Sequence, residues 1–236
     1  MIDIIIFAKA PIAGQVKTRL IPALGAAGAA HLAAHMLEHT VTAARAAGLG
    51  AVELCLSPGA AHPDWAGQLP QHPDLRIHDQ GDGDLGERMA RAMERVLSAP
   101  RKRRMPFPPP EGARKLEAAR RFVDNHAPVG GALRGALLIG TDCADMSAAL
   151  LREAARLLRD ADACLLPCED GGYALIGMTR YAPEAFRDIA WSTSEVAATT
   201  LARLRALNWK VAIGPTVRDI DTPADLNHLQ TLANPL

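Results

Sequence analysis

The stretch "LLIGTDCADMS", residues 137–147, joins an apolar run to a glycine, a hydroxyl and two acids. The aliphatic residues predict a short buried strand, and Asp142 and Asp145 follow where that strand ends. In an open parallel sheet, ligands bind outside the carboxyl ends of the strands, where the connecting loops converge. We therefore expect Asp142 to lie at the ligand-binding edge of such a sheet.

The rest of the chain alternates strand-like and helix-like blocks. A long Ala-rich helix is expected to end at Gly48, and Asp84 and Ser147 are candidate N-caps of later helices. Alternation of this kind implies crossover connections and a mostly parallel sheet covered on both faces. The strand-like runs are "DIIIFA", "AVELCL", "LRIHD", "GALLIG", "ACLLPC", "YALIGM" and "WKVAIG". The sequence thus predicts an α/β protein with three layers, α/β/α.

We expect one domain over residues 1–236, with an insertion at about 99–134 that interrupts the alternation. Its proline run "PFPPP" is incompatible with a central strand or a helix interior. The insertion is either a surface segment or a basic lid or anion-binding arm. The surface segment is favoured, because runs of charge usually mark a solvated face.

Composition limits the classes of partner. The formal net charge is zero and aromatic residues make up 4% of the chain, so we expect no nucleic-acid partner. The four cysteines lack CxxC spacing and are expected to be reduced thiols. The apolar opening "MIDIIIFAKA" is too short for a membrane segment, so we expect a cytoplasmic protein without a membrane partner.

A basic loop follows the first predicted strand and contains Lys9, Gly14, Lys17 and Arg19. Glycine allows a ligand to approach the backbone closely, and the cations can complement phosphate charge. The loop matches neither the Walker A nor the GxGxxG pattern. Taken alone it is a weak signal for a phosphate site, because solvated lysines and arginines are common.

Asp142 and Asp221 are candidate ligands of a hard cation such as Mg²⁺, which prefers carboxylate oxygens and is often completed by substrate phosphates. Each carboxylate has a structural alternative. Asp145 fits the cap of the following helix better than Asp142 does, and Asp221 can cap the helix that starts near Pro223. "PCEDGGYALIG", residues 167–177, is either a close-approach turn at a ligand or only a hairpin turn between two strands.

Three further features favour structural roles. His35 and His39 match a zinc pattern on a helix, with His31 one turn earlier, but no further ligand set follows, so an ordinary helix face is favoured. Cys143 has no identifiable partner as a nucleophile and is expected to be a structural thiol. Trp191 either packs in the core or walls an acceptor pocket.

Six segments occur in the order and approximate spacing of a known family: "FAKAPIAGQVKTRL", "DQGDGDLGERM", "LIGTDCADM", "PCEDGGYALIGM", "WSTSEV" and "DIDTPADL". Together they resemble the radical-SAM/selenodomain-associated transferase family. That family is similar to the glycosyltransferase-A-type nucleotide-diphospho-sugar transferases and to 2-phospho-lactate guanylyltransferase. The resemblance covers nearly the whole chain except the insertion and implies a glycosyltransferase-A-like fold.

The resemblance also implies residue roles. It implies catalytic roles for Lys17, Arg19 and Asp142 and a metal site, for Mg²⁺ or Mn²⁺, at Asp142 and Asp221. Nucleotide-binding positions would be Ala8, Lys9, Gly14, Lys17, Arg19, Gln80, Gly81, Leu85 and Gly86. The acceptor-binding positions would be Asp170, Gly171, Gly172, Tyr173 and Trp191.

The implied function is a metal-dependent transferase that uses a nucleotide and a small-molecule acceptor. Nucleotidyl transfer from a nucleoside triphosphate is the first hypothesis, because the basic loop suits a highly charged donor. A glycosyltransferase with a nucleotide-diphospho-sugar donor is the alternative. Ala144 stands where the family usually has proline, which with the insertion keeps a non-catalytic nucleotide-binding module as a third hypothesis.

Overall fold

The computed structural model describes residues 1–98 and 133–232 of the chain. The predicted insertion at about 99–134 therefore lies almost entirely outside the described residues. A helix that ends at Ser98 comes before the insertion, and a strand that begins at Gly135 follows it.

A single seven-stranded sheet forms the centre of the described residues, in the order β3-β2-β1-β4-β6-β5-β7. Neighbouring strands pair in parallel except at β6, which runs antiparallel to β4 and β5. The strands are β1 (Ile2–Lys9), β2 (Val52–Ser57), β3 (Arg76–Asp79), β4 (Gly135–Ile139), β5 (Ala163–Pro167), β6 (Tyr173–Met178) and β7 (Val211–Ile213).

Within the part of the chain that the structure describes, five α-helices cover the sheet: α1 (Ile21–Ala47), α2 (Leu85–Ser98), α3 (Ala148–Leu157), α4 (Val196–Ala206) and α5 (Leu226–Leu232). The central strand β1 shows how the layers form. Ile4 and Ile6 pack in the core beneath α1 and α3, whereas Ile5 and Phe7 pack in a second core beneath α2 and α4. Successive strand residues point to opposite faces, so an entirely apolar strand requires helices on both sides. The predicted three-layer α/β/α arrangement is confirmed.

The predicted helix ends are also confirmed. Gly48 ends α1 in the left-handed conformation, with φ 63°. Asp84 Oδ1 accepts a hydrogen bond from the Glu87 N–H at 2.8 Å, and Ser147 Oγ accepts one from the Leu150 N–H at 3.3 Å. These caps fix the start of α2 and α3 just beyond the carboxyl ends of β3 and β4.

One helical stretch of the described residues, Thr18–Ala47, is long and apolar enough by length and composition to cross a membrane. Gly25 interrupts its helical geometry, with φ 70° and ψ 165°. Leu37 and Val41 on α1 are buried in the core on one face of the sheet. One face of α1 therefore packs against the sheet.

Candidate functional site

Two backbone contacts bring the segments of Asp142 and Asp221 side by side. The Ile220 N–H donates to the Asp142 carbonyl oxygen at 2.9 Å, and Cys143 forms an isolated antiparallel bridge with Asp219. The segment after β4 and the segment before α5 therefore run next to each other at the carboxyl edge of the sheet. The Asp142 and Asp221 side chains remain 53% and 46% exposed, so both carboxylates are accessible to a ligand.

Lys17 reaches from the loop after β1 into the space between these two acids. Its ammonium lies 2.6 Å from Asp142 Oδ1 and 3.8 Å from Asp221 Oδ1, and it donates to the Ile220 carbonyl oxygen at 2.7 Å. The Lys17 side chain is only 4% exposed. We call the space bounded by Asp142, Ile220 and Asp221 the aspartate gap. The structure thus joins Lys17, predicted to meet phosphate, to both predicted metal ligands.

The acids around the aspartate gap are crowded. Burial, followed by the charge of Asp142, raises the pKa of Asp219 to about 6. The same two causes raise the pKa of Asp221, whereas the positive charges of Lys17 and Arg19 oppose that rise. Close carboxylates disfavour one another's ionised form, so this part of the molecule favours the approach of a cation.

Asp219 was not among the residues predicted from the sequence. A signal was present in "DID", residues 219–221, because alternate residues of an extended segment point to the same side. Asp170 also acts electrostatically here, and its charge contributes to the raised pKa of Asp219 and Asp221.

The donor atoms of the aspartate gap suit a divalent metal. Asp142 and Asp221 offer hard carboxylate oxygens, the ligand type that Mg²⁺ and Mn²⁺ prefer. Among residues 1–98 and 133–232, no group of three or more His, Cys, Asp or Glu side chains is arranged as a ready metal site. The pair fits a cation whose remaining ligands are water and substrate phosphate, as is usual for Mg²⁺.

The alternative roles of Asp145 and Asp221 as helix caps are wrong. Ser147 caps α3, while Asp145 instead lies 2.9 Å from His228 Nε2 and accepts from the Arg218 N–H at 3.4 Å. The start of the last helix is held by Asp225, which accepts from the N–H groups of Asp221 and Thr222 at 3.1 and 2.7 Å. The Asp221 carboxylate therefore serves no cap and faces the aspartate gap.

Gln80, predicted to bind nucleotide, is turned into the protein. Its Nε2 donates to the carbonyl oxygens of Ala8 at 3.1 Å and Cys55 at 2.9 Å, and its Oε1 accepts from Arg88 at 2.9 Å. The side chain is 6% exposed. Gln80 thus ties β1, β2 and α2 together, and a direct contact between its amide and a nucleotide stays a prediction.

We expect Gln80→Ala to lower the free energy of unfolding by about 1–3 kcal/mol, because it removes the hydrogen bonds that the buried amide makes to the Ala8 and Cys55 carbonyl oxygens. Thermal melting of the variant measures the loss. Gln71→Ala is the matched control, since the Gln71 amide is exposed and makes one hydrogen bond, to the Leu69 carbonyl oxygen. Equal melting temperatures for wild type and Gln80→Ala would contradict the structural role.

The other predicted nucleotide positions line the neighbouring loops. Lys9, Gly14 and Arg19 are exposed, and Gly14 has a φ of 84° that favours glycine. Leu85 is half-buried and packs against the core beneath α2 and α4. The protein's own atoms surround or constrain the other three nucleotide positions, Ala8, Gly81 and Gly86.

Ala8 is buried at the end of β1. Gly81 has a φ of 76°, which a residue with a side chain rarely adopts. Gly86 is buried, and a Cβ at this position would collide with the Phe186 carbonyl oxygen and contact the Trp191 indole. The glycines in this loop therefore allow tight packing within the protein, and their predicted contact with a nucleotide stays a prediction.

The predicted acceptor positions cluster at one turn and one aromatic pair. Residues 168–172 form the turn between the antiparallel strands β5 and β6, so the hairpin turn is confirmed, and a close approach of this turn to a ligand stays a prediction. Asp170 Oδ1 accepts from the Gly172 N–H at 2.9 Å, and the Gly171 carbonyl oxygen accepts from the Ala197 N–H at 2.9 Å. The turn is thereby docked on the start of α4.

Tyr173 and Trp191 stack edge to face, with ring centroids 6.5 Å apart. The Tyr173 hydroxyl oxygen is buried, and burial raises the pKa of this phenol. Trp191 is half-buried and packs against the core beneath α2 and α4. The pair forms a rigid wall beside the turn, and its predicted contact with an acceptor stays a prediction.

Comparison with known proteins gives the family. The family model described as "Uncharacterized protein conserved in bacteria (DUF2064)" matches residues 40–106 and 111–193. The chain belongs to this family. A search of curated proteins found no match.

Solved structures give the fold of this DUF2064 protein. A crystal structure from Desulfovibrio desulfuricans G20, assigned as a nucleotide-diphospho-sugar transferase, is 30% identical, with a TM-score of 0.73 over 99% of this chain and 88% of that chain. The manganese complex of Rv0371c from Mycobacterium tuberculosis H37Rv is 16% identical, with a TM-score of 0.51 over 97% of each chain. The predicted nucleotide-diphospho-sugar transferase fold is confirmed.

A third structure shares this fold. The 4-diphosphocytidyl-2C-methyl-D-erythritol synthase of Anaerococcus prevotii DSM 20548 is 12% identical, with a TM-score of 0.54 over 98% of this chain and 95% of that chain. At such identities the likeness concerns the fold alone. The resemblance to radical-SAM-associated transferases and to 2-phospho-lactate guanylyltransferase stays a prediction.

The cysteines and the histidine pattern of the DUF2064 chain have ordinary environments. Burial raises the pKa of the Cys143 thiol to about 12, so almost none of it is the nucleophilic thiolate at neutral pH. His31, His35 and His39 lie exposed on α1. These placements agree with the structural thiol and the ordinary helix face favoured by the sequence.

Proposed function

We propose that this protein is a nucleotide-using transferase that works with a divalent cation at the aspartate gap. The observation that carries the proposal is the convergence of Lys17, Asp142 and Asp221 at the carboxyl edge of the sheet. Ligands of open α/β sheets bind at this edge. A relative 30% identical to this chain is assigned as a nucleotide-diphospho-sugar transferase, which supports the same class of substrate.

Asp142 and Asp221 would hold the cation, Mg²⁺ or Mn²⁺. When bound, it would neutralise phosphate charge and orient the phosphate oxygens. The manganese complex of Rv0371c shows that a protein of this fold can be crystallised with such an ion. Burial, followed by the charge of Asp142, raises the pKa of Asp219 and of Asp221, so a cation bound beside these acids would favour their ionised forms.

The first candidate reaction is nucleotidyl transfer. An acceptor oxygen forms a bond to the α-phosphorus of a nucleoside triphosphate, the bond from that phosphorus to the bridging oxygen breaks, and pyrophosphate leaves. Lys17 and Arg19 would offset the charge that develops on the leaving phosphates. Positioning and electrostatics suffice for this chemistry, so the buried Cys143 thiol has no role in it.

The second candidate reaction is glycosyl transfer. Here an acceptor oxygen forms a bond to the anomeric carbon of the sugar, the bond between that carbon and the diphosphate oxygen breaks, and the nucleoside diphosphate leaves. The assignment of the Desulfovibrio relative favours this candidate. The exposed cations Lys9 and Arg19 favour nucleotidyl transfer instead, because a nucleoside triphosphate carries more negative charge than a nucleotide sugar. In either reaction we expect a small-molecule acceptor and a cytoplasmic protein.

Ala144 does not leave the loop of Asp142 loose, which argues against a purely non-catalytic role. It packs against a small core that contains Leu20 and Ile220. The loop is further held by the hydrogen bond from the Met146 N–H to the Cys143 carbonyl oxygen, at 3.3 Å. A proline at this position is therefore not needed to order the carboxylate.

A thermal-shift panel of nucleoside triphosphates and nucleotide sugars, with and without Mg²⁺, tests the proposal. A ligand at a hundred times its dissociation constant stabilises the folded state by about 2.7 kcal/mol, which should raise the melting temperature by several degrees. We expect at least one nucleotide to do so only with Mg²⁺. No shift with any nucleotide, at concentrations up to several millimolar, would contradict the proposed function.

A further inference from the structure

The Lys17 ammonium occupies the place between the two acids that a divalent cation would need. Its contacts are short ones to Asp142 Oδ1 and the Ile220 carbonyl oxygen, and a longer one of 3.8 Å to Asp221 Oδ1. The side chain is almost wholly buried, so the ammonium has exchanged water for these oxygens. Lys17 thus acts as an internal counter-ion of the acid pair.

A Mg²⁺ or Mn²⁺ ion bound to these two acids would compete with the Lys17 ammonium. Mg²⁺ binds carboxylate oxygens at about 2.0–2.1 Å and requires nearly octahedral coordination. A metal on the same carboxylate oxygens would lie within a few ångströms of the ammonium, and two cations that close together repel each other strongly. The acids can neutralise one of the two cations at a time.

We propose that the Lys17 ammonium and a divalent cation are alternative occupants of the aspartate gap, so that metal binding releases Lys17. The proposal rests on the proposed function only in taking Asp142 and Asp221 as the metal ligands. It assigns Lys17 a second role as a positioning residue: the ammonium holds the Asp142 carboxylate and balances its charge until a metal binds.

The backbone supports an exchange of this kind. Lys17 has φ 44° and ψ 44°, the left-handed conformation that is unfavourable for residues with a side chain. The contacts in the aspartate gap offset this cost. The two acid-bearing segments are joined independently of Lys17, through the hydrogen bond from the Ile220 N–H to the Asp142 carbonyl oxygen. The gap therefore persists when Lys17 leaves.

The exchange makes metal and polyphosphate binding depend on each other. A released Lys17 loses its partners in the gap, which weakens metal binding when no other anion is present. A nucleotide polyphosphate offers new oxygen partners to the same ammonium. Metal and nucleotide should therefore bind with positive coupling, and the coupling must be equal in both directions.

The first test measures Mn²⁺ binding to the nucleotide-free protein by electron paramagnetic resonance. Lys17→Met keeps the length of the apolar stem but removes the competing cation, so we expect it to bind Mn²⁺ about tenfold or more tightly than wild type. Lys210→Met is the matched control, because Lys210 is an exposed lysine next to the amino end of β7. Adding Asp221→Asn to Lys17→Met should remove the gain.

The second test uses the wild-type protein, so it does not depend on how the variant folds. An amine-acylating reagent should modify Lys17 slowly without metal, because the amine is buried and paired. Saturating Mn²⁺ should raise the rate at Lys17 several-fold and leave Lys210 unchanged, as read by peptide mass spectrometry. The rate should rise because the bound metal displaces the Lys17 amine from the acids and exposes it to the reagent.

Equal or weaker Mn²⁺ binding by folded Lys17→Met, or unchanged acylation of Lys17 with Mn²⁺ bound, would overturn the exchange. Neither experiment contains a nucleotide. Metal-driven release of Lys17 in a protein that binds no nucleotide would support the exchange and count against the proposed function alone. The two ideas can therefore fail separately.

Discussion

Asp142→Asn should weaken metal-dependent nucleotide binding by about tenfold to a hundredfold, the equivalent of one charge-assisted contact of roughly 1.5–3 kcal/mol. Asparagine has the size of aspartate but lacks its charge, so it is a poor ligand for a hard cation. The fold should survive, because the carbonyl oxygen of Asn can still accept from Lys17 and the backbone contact to Ile220 is untouched. Calorimetric titration with and without Mg²⁺ measures the effect.

The matched control is Asp160→Asn. Asp160 is exposed and precedes β5, at the opposite edge of the sheet from the aspartate gap. The Asp160→Asn substitution removes the same negative charge, but at a distance from the proposed site. Unchanged Mg²⁺-dependent affinity in folded Asp142→Asn would exclude Asp142 as a metal ligand. A similar loss in Asp160→Asn would mean that net charge, and not this position, governs binding.

The sequence predicted those features that depend on local pattern. The alternation of apolar strands with capped helices predicted the layered sheet, because each strand and cap is encoded within a few residues. The position of Asp142 followed from the same local pattern, an acid directly after a buried strand. These inferences required no knowledge of which distant segments meet.

The features that the sequence did not reveal depend on long-range contacts. Gln80 lies in a glycine-rich loop that is typical of a ligand site, but its partners are carbonyl oxygens on β1 and β2, up to 72 residues away. Lys17 was expected to face phosphates, whereas its partners Asp142 and Ile220 lie 125 and 203 residues further along the chain. Asp219 became part of the site only through its bridge to Cys143.

The difference between the expected and observed position of Lys17 affects how the two candidate reactions can be separated. In the nucleotide-free protein this cation is already paired with acids, so its contribution to a ligand is the difference between two sets of contacts. That difference grows with the charge of the ligand, because only a highly charged anion competes well with Asp142 and Asp221. Arg19 is exposed and also acts on Asp221 through its charge, but it lies outside the aspartate gap, so it meets less of this competition in its contacts with ligand.

Lys17→Ala combined with Arg19→Ala should therefore weaken triphosphate binding more than tenfold and monophosphate binding much less, if the donor is a nucleoside triphosphate. Calorimetric titration with the mono-, di- and triphosphate of one base and one matching nucleotide sugar, all in excess Mg²⁺, gives the comparison. Arg205→Ala with Lys210→Ala is the control, since it removes two exposed positive charges near the amino end of β7.

For a glycosyltransferase, wild type should bind the triphosphate no more tightly than the nucleotide sugar. Equal losses for all four ligands would mean that the loop contacts the nucleoside or supports the fold, and the assignment of Lys17 and Arg19 to the terminal phosphates would then be wrong.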